Sequence, residues 1–160
     1  MILPAILILR QPDLGTTLVL FAVAGTIILF VKVKWTALEW DGTDVSESAQ
    51  GCHAGDACLR ATIAQWSGFH LYLRQAFPAD TFATLRLWVR GETSGTQLTL
   101  SPSFEGERCT EEAVELTGDW QEVTFDLETA CAGFDLLTSV TVQNTTERAT
   151  ILLDEIEYAQ

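Results

Sequence analysis

Positive charge is scarce in this chain and unevenly placed. The 160 residues hold 9 Lys and Arg against 22 Asp and Glu, a net charge of −13. No lysine follows Lys34, and residues 36–160 carry 6 Arg against 21 acidic residues, a net of −15. Nucleic acids and anionic lipid surfaces are bound through Lys and Arg. The composition of the acidic part therefore argues against both partners and favours neutral ligands or cations.

Recognisable catalytic motifs are also missing. The sequence contains no G-x-S-x-G, P-loop, H-E-x-x-H or G-x-G-x-x-G motif. Neighbouring acids such as Asp154 and Glu155 would point to opposite faces of a strand, so they could not act together as a facing pair of carboxylates. A catalytic thiol is disfavoured as well, because only His53 and His70 could serve as its base. We therefore expect a noncatalytic protein.

Cysteine is absent from residues 1–35, and all four cysteines lie in the acidic part, at Cys52, Cys58, Cys109 and Cys131. This distribution indicates disulfide bonds and an oxidising compartment. Cys52 and Cys58 flank the loop HAGDA and could close a small ring, which would leave the other two for a second bridge, although four cysteines allow three pairings. A zinc site that includes His53 is the alternative, but the spacing differs from the C-x2-C of zinc modules.

Charge is absent from Leu14 to Val31, which read LGTTLVLFAVAGTIILFV. Such a run is close to the minimum length for a helix that crosses about 30 Å of hydrocarbon. It ends in Lys32, Val33 and Lys34 rather than in a small-residue cleavage site, which disfavours a cleaved signal peptide. It also lacks the polar stripe of a helix in a soluble core. We predict a membrane helix that contacts lipid through residues 14–31.

The segment from Gln11 to Thr16 reads QPDLGT and leads into this helix. It resembles the QPDLGT segment of the SEDS family, the polytopic peptidoglycan glycosyltransferases of cell elongation and division (rod shape and division). The resemblance covers residues 1–35 and implies that 1–9 end one membrane segment and 14–31 form the next. The family's other helices and its catalytic loop are absent, so polymerase activity is not implied. In this chain Asp13 is expected simply to start the helix as its cap.

Two signals disagree about membrane orientation. Lys32 and Lys34 outnumber Arg10, so the positive-inside rule would leave the acidic domain in the cytoplasm. The cysteines favour the opposite orientation, and the free N-terminus adds one positive charge beside Arg10. We therefore predict a membrane-anchored protein whose acidic domain is extracytoplasmic, at the cell surface.

Short strands replace the apolar helix from Thr36 onward. Eight segments alternate apolar and polar residues with a period of two: 59–63, 69–74, 84–90, 97–100, 113–116, 122–127, 139–143 and 150–158. Turn residues separate them, and no segment after Lys34 has a convincing helical period. This spacing predicts an all-β jelly-roll sandwich in residues 36–160, preceded by an N-terminal hydrophobic transmembrane α-helix in residues 1–35.

The order of several motifs points to a family. The segment WSGF at 66–69 is followed by LRLWVRG at 85–91, GDWQEV at 118–123, VTVQN at 140–144 and ILLDEI at 151–156. In this order they resemble the galactose-binding-like jelly rolls that serve as carbohydrate-binding modules in bacterial secreted and surface proteins. The resemblance covers roughly residues 35–160. It implies a noncatalytic glycan-binding domain, and many such modules hold a structural calcium ion between the first strand and the acids of the last.

The chain has acidic residues where such a calcium ion would need them. Ca²⁺ prefers carboxylate and carbonyl oxygens at about 2.4 Å. Glu39, Asp41 and Asp44 lie just before or on the first strand and Asp154 lies on the last, so a sheet that joins these ends would assemble a site, for which the predicted ligands are Glu39, Asp41 and Asp154. The alternative is a solvated acidic edge, which is common in so acidic a domain.

Aromatic residues are the candidates for sugar binding, because an aromatic face stacks on the apolar side of a pyranose while amides and carboxylates bind its hydroxyls. The predicted ligand-binding residues are Trp66, Phe69, Tyr72 and Trp88, and further candidates are Trp40 and Trp120. Trp66 is favoured by its place in a Ser-Gly turn, and Trp88 because it shares a face with two arginines. A place in the core is the alternative for each ring, since large aromatic side chains dominate sandwich cores.

Two functions of different classes follow. The first is a membrane-anchored surface protein that holds a neutral glycan or polysaccharide with its jelly roll. The second is a structural subunit of a filament or envelope complex, in which the N-terminal helix packs against copies of itself. Small residues at Ala22, Ala24 and Gly25 would permit close helix packing. A junction of two unrelated genes would also explain why a SEDS-like fragment precedes a surface-type domain.

Overall fold

The computed structural model describes residues 36–160. The predicted membrane helix at 14–31 and the SEDS-like segment therefore lie outside the described residues. Among residues 36–160, none of the helical structure has the length and apolar character needed to span a bilayer.

The described residues form a sandwich of two antiparallel sheets, which confirms the predicted all-β sandwich class. Sheet A contains, in spatial order, β1 (Thr36–Glu39), β4 (Gly68–Pro78), β10 (Leu136–Asn144) and β6 (Thr96–Phe104), and the free side of β6 pairs with both β7 (Glu107–Arg108) and β8 (Glu112–Leu116). Sheet B contains, in spatial order, β2 (Thr43–Ser48), β3 (Cys58–Ile63), β11 (Ala149–Ala159), β5 (Thr84–Gly91) and β9 (Gln121–Asp126). One helical turn, α1 (Leu127–Ala130), follows β9 and is capped by Asp126.

Alternation along each strand fills the space between the sheets. In β5 the side chains of Leu85, Leu87 and Val89 are fully buried while their neighbours are half-exposed. Phe69 and Leu71 of β4 enter the same core from sheet A. Because successive side chains of a strand point to opposite faces, the residues between these positions must lie on the outer faces of the sandwich.

All eight predicted strands are present, with boundaries that differ by a few residues. The alternation missed β1, β2 and β7. Both β1 and β2 are edge strands. β1 reads TALE and is too short to show a period, and β2 reads TDVSES and is mostly polar, so neither has enough apolar periodicity to be recognised. β7 has two residues, and only its pairing with β6 defines it.

Both predicted disulfides are confirmed. Cys52 is bonded to Cys58, six residues away, and Cys109 to Cys131, 22 residues away. The sulfurs of Cys52 and Cys58 are thus bonded to each other, so they cannot serve as the thiolate ligands of the alternative zinc site.

Candidate functional site

The outer face of sheet A collects polar and aromatic side chains in register. One row across the strands contains Leu38, His70, Thr141 and Ser101, and the next contains Tyr72, Ser139, Ser103 and Arg108. Trp40 and Gln143 lie beyond the His70 row. The backbone N–H of Trp40 donates to the carbonyl of Gly68, and Gln143 is the strand partner of Gly68. We call this surface, formed by Leu38, Trp40, His70, Tyr72, Ser101, Ser103, Arg108, Ser139, Thr141 and Gln143, the sheet A face.

Three rings line one side of the sheet A face. The centroids of Trp40 and His70 are 5.3 Å apart and those of His70 and Tyr72 are 5.7 Å apart, in edge and tilted arrangements. All three side chains are half-buried, so part of each ring faces solvent. The alternation of β4, which directs Phe69 and Leu71 inward, places His70 and Tyr72 outward on this face.

Arg108 reaches across the sheet A face from the opposite side. Its Nη1 donates to Glu111 Oε1 at 2.7 Å and to Gln143 Oε1 at 3.0 Å, and its Cζ lies 5.5 Å from the centroid of the Trp40 ring. The guanidinium thus links β7, β10 and the residue after β1. The carboxylate of Glu111 balances its charge.

Trp66 stands at one end of the sheet A face. Its side chain is 65% exposed, and it and Leu38 are the exposed large apolar residues among those described. The backbone of Trp66 is left-handed, with φ at 63°, a conformation that is costly for a bulky residue and is retained where the surroundings enforce it. The backbone N–H of Trp66 donates to Asn144 O at 2.8 Å, and Gln143 Nε2 donates to the backbone carbonyl of Trp66 at 3.4 Å.

Asn144 organises the turn that displays Trp66. It is fully buried, and its Nδ2 faces the carbonyls of Ile63, Ala64, Thr146 and Glu147, at 3.1, 3.4, 3.4 and 2.8 Å. Its Oδ1 accepts from the N–H and the hydroxyl of Thr146. Asn144 begins an N-x-T sequon, but every polar atom of its amide is engaged inside the fold. Its role is therefore structural.

His70 is held neutral by its surroundings. Burial lowers the pKa of His70 below its usual value of 6.5, and the nearby Arg108 guanidinium lowers it further. Burial penalises the charged imidazolium, and a like charge does the same. Near pH 7 the ring can therefore use one nitrogen as a donor and the other as an acceptor.

This pKa shift predicts a specific loss of stability in acid. Because the folded pKa lies below the unfolded value, the unfolded chain binds the proton more tightly. The stabilisation is therefore complete above about pH 6.5 and is lost as the pH falls from there through the lower folded pKa. We expect the His70→Asn variant to lose less stability than the parent chain over this interval, as measured by urea unfolding at a series of pH values. Parallel profiles for the two chains would contradict this assignment.

Two of the predicted ligand-binding residues lie elsewhere. Phe69 is 0% exposed and belongs to the core, because its neighbour His70 takes the outward position, so no ligand can reach it. Trp88 lies on the outer face of sheet B, where the ring of His53 stacks on it with centroids 3.9 Å apart and planes 14° apart. Of the four predicted residues, Tyr72 lies on the sheet A face and Trp66 at its end.

A loop closed by the Cys52–Cys58 bond holds His53 over Trp88. Asp154 Oδ2 accepts from the backbone N–H groups of His53 and Ala54 at 2.8 and 2.9 Å, and His53 Nδ1 lies 2.6 Å from Glu155 Oε2. The ring of Trp120 meets His53 at 5.5 Å. These rings are engaged with each other, so the cluster is a packed support for the loop rather than an open platform.

The predicted calcium ligands are not brought together. Glu39 Oε1 accepts from the backbone N–H of Val45 at 2.8 Å, so its carboxylate lies beside β2. In sheet B Val45 of β2 is level with Ile151 of β11, which is two strands away. Asp154 lies three residues further along β11. That separation is roughly 10 Å along the strands and roughly 10 Å across them. Asp154 already accepts three backbone N–H bonds, from residues 53, 54 and 155. Glu39, Asp41 and Asp154 therefore do not form one ligand set.

Several residues of the sheet A face were not predicted from the sequence. The alternation of β10 would have placed Ser139, Thr141 and Gln143 on one face, but it does not say which sheet this face belongs to. No sequence pattern marked Arg108 as a residue of this face, because its position depends on the two-residue strand β7.

The fold is similar to that of several carbohydrate-binding modules. A family 30 module of a cellulosomal cellulase from Clostridium thermocellum matches with a TM-score of 0.59 and 14% identity, over 80% of this chain and 92% of that one. A family 11 module from Clostridium thermocellum in complex with a β-1,3-1,4-mixed-linked tetrasaccharide matches with a TM-score of 0.57 and 11% identity, over 81% and 91%.

A third similar structure holds a different sugar. A family 61 module in complex with β-1,4-galactotriose matches with a TM-score of 0.52 and 18% identity, over 79% of this chain and 88% of that one. No protein-family model matches the sequence, and no curated protein matches it either. At these identities the likeness establishes the β-sandwich fold that these modules share, and the assignment of function has to come from the site.

Proposed function

We propose that residues 36–160 form a noncatalytic module that binds a neutral glycan on the sheet A face. The observation that carries this proposal is the meeting, on one outer face, of half-exposed rings with the half-exposed amide of Gln143 and the half-exposed guanidinium of Arg108. Rings supply the stacking surface for a pyranose, and the polar groups supply bonds to its hydroxyls. The sugar complexes of similarly folded modules add support.

Charge favours a neutral ligand. The 21 acids and 6 Arg of residues 36–160 leave a net charge of −15 that repels polyanions. On the sheet A face Arg108 is already paired with Glu111 and Gln143, so its charge is not free to attract an anion. Uncharged hydroxyls can still accept from the remaining guanidinium N–H groups.

We also propose that residues 14–31 tether this module to a membrane, with the module at the cell surface. The uncharged apolar run at 14–31 and the two disulfides of the module support this arrangement. The tether would keep the glycan close to the cell. A structural calcium ion is expected only from the family resemblance, because Glu39, Asp41 and Asp154 do not form a ligand set.

Substitution of Trp66 by alanine tests the site. We expect Trp66→Ala to lower glycan affinity on the order of tenfold, since it removes the stacking area of an exposed ring at one end of the sheet A face. Its thermal midpoint should stay close to that of the parent, because the side chain is largely exposed. The measurement is calorimetric titration of the full chain in mild detergent with β-1,4-galactotriose and the mixed-linked tetrasaccharide.

Trp120→Ala is the matched control, because Trp120 is a half-exposed tryptophan that packs with the His53 cluster away from the sheet A face. It should leave affinity unchanged. A loss of affinity in Trp120→Ala and not in Trp66→Ala would move the site to sheet B, and the absence of saturable binding to any neutral glycan would overturn the proposed function.

A further inference from the structure

Three hydroxyl side chains form a buried chain beneath His70. Ser139 Oγ lies 2.8 Å from Ser103 Oγ, which lies 3.0 Å from Thr141 Oγ1. Thr141 Oγ1 in turn lies 2.9 Å from Nδ1 of His70. Ser103, Ser139 and Thr141 are between 0 and 1% exposed, so their bonds must be made within the protein. We call Ser139, Ser103 and Thr141 the hydroxyl chain.

The number of protons decides the direction of these bonds. If each hydroxyl donates toward His70, three protons occupy the three short bonds and Nδ1 accepts the last of them. If Nδ1–H donates instead, one hydroxyl proton of the chain has no short bond left: either Ser139 donates to Ser103 O at 3.5 Å, or Ser103 donates to Ser139 O at 3.4 Å. A buried donor without a good partner costs about 1–3 kcal/mol. The first direction is therefore favoured, and it requires Nδ1 to be unprotonated.

The other ring nitrogen is available to a ligand. Among the groups that the structure describes, none is hydrogen-bonded to His70 Nε2. His70 is half-buried between Trp40 and Tyr72, on the surface where stacking rings would hold a sugar. A neutral imidazole carries one proton, so an accepting Nδ1 leaves the proton on Nε2.

We propose that the hydroxyl chain fixes His70 as the tautomer with its proton on Nε2, so that the sheet A face presents one ring N–H donor to a hydroxyl or ring oxygen of the bound sugar. His70 is then a specificity-determining residue, and Thr141 is a positioning residue that acts through it. The role toward the sugar rests on the proposed function, whereas the tautomer is a property of the free protein.

The tautomer is tested directly by long-range proton–nitrogen correlation NMR of the full chain in detergent at neutral pH. The sequence contains two histidines, so His70→Asn identifies the His70 signals without ambiguity. We expect the free protein to show a protonated Nε2 and an unprotonated Nδ1 for His70. A protonated Nδ1, or an equal mixture of the two tautomers, would overturn the proposal.

Thr141→Val tests the positioning role, because valine keeps the β-branched shape and removes the donor to Nδ1. We expect a mixed tautomer at His70 and an affinity for β-1,4-galactotriose or the mixed-linked tetrasaccharide that falls about three- to tenfold, the worth of one hydrogen bond. Thr141→Ser should restore both. A Thr141→Val protein with an unchanged His70 spectrum, or with changed tautomers and unchanged affinity, would overturn the positioning role.

Thr150→Val is the matched control, since Thr150 Oγ1 and Thr62 Oγ1 form a comparable cross-strand pair at 3.1 Å on sheet B. It loses one hydroxyl bond without touching His70, so the His70 spectrum and the affinity should not change. If the free protein shows the expected tautomer but binds no neutral glycan, the proposed function and the donor role fail together, while the tautomer assignment stands on the spectrum.

Discussion

Removal of the Cys109–Cys131 disulfide by the double substitution Cys109→Ala and Cys131→Ala is expected to lower the free energy of unfolding by about 3 kcal/mol. The bond closes a loop of 22 residues, and this loss follows from the greater conformational entropy of the open unfolded chain. Both side chains also belong to the core, so a small packing loss adds to the effect. Urea unfolding without reductant measures the change.

The Cys52–Cys58 pair provides the matched control. It closes a loop of only six residues, for which the same relation gives a loss of about 2 kcal/mol. Because Cys109 directly follows Arg108, the first double variant should also weaken glycan binding, whereas removal of Cys52–Cys58 should not. A larger loss of stability on opening the six-residue ring would contradict the account.

Substitution of Asn144 by alanine is expected to lower the free energy of unfolding by about 3 kcal/mol. The amide is fully buried, and it bonds both to the carbonyl of Ile63, which precedes the turn at Trp66, and to that of Glu147, in the turn between β10 and β11. Alanine would leave several buried carbonyls without donors, at about 1–3 kcal/mol for each group that finds no substitute. The turn would loosen as well, so affinity for the glycan should fall even where the protein remains folded.

Two further variants isolate the amide group. Asn144→Asp keeps the shape but places a carboxylate against four carbonyls, so it should be at least as destabilising as alanine. Gln97→Ala removes an exposed amide and should change stability by less than about 0.5 kcal/mol. Urea unfolding of all three variants provides the comparison, and a stable Asn144→Asp protein would show that the donors of Asn144 do not support the fold.

The strands of the core were predictable because their information is local. In β5 the order Leu85, Arg86, Leu87, Trp88, Val89 alternates strictly, and the apolar positions became the core. The edge strands β1 and β2 could not be found in this way, because β1 has only four residues and β2 has a single apolar residue among its six.

The candidate site was predictable only in part. A glycine-containing turn placed Trp66 at the surface, and this turn signal is local. The sequence could not say which of the neighbours Phe69 and His70 faces inward. In the structure Phe69 is buried in the core and His70 lies on the outer face. Trp88 does lie on an outer face, but only the fold revealed that a residue 35 positions earlier, His53, covers its ring.

Composition and order alone determined the acidic character of this protein, its sandwich class, the expectation of disulfide bonds and the family that it resembles. These properties depend on residue type, on the period of two along strands and on the spacing of cysteines, all of which can be read without knowing the neighbours in space. The tertiary structure alone decided which face forms a site. Thr141, Arg108 and His70 lie far apart in the sequence, and they meet only because β10, β7 and β4 belong to one sheet. It also separated Glu39 from Asp154, because Glu39 ends β1 of sheet A and its carboxylate accepts from Val45 of β2, which is two strands away from Asp154 in sheet B.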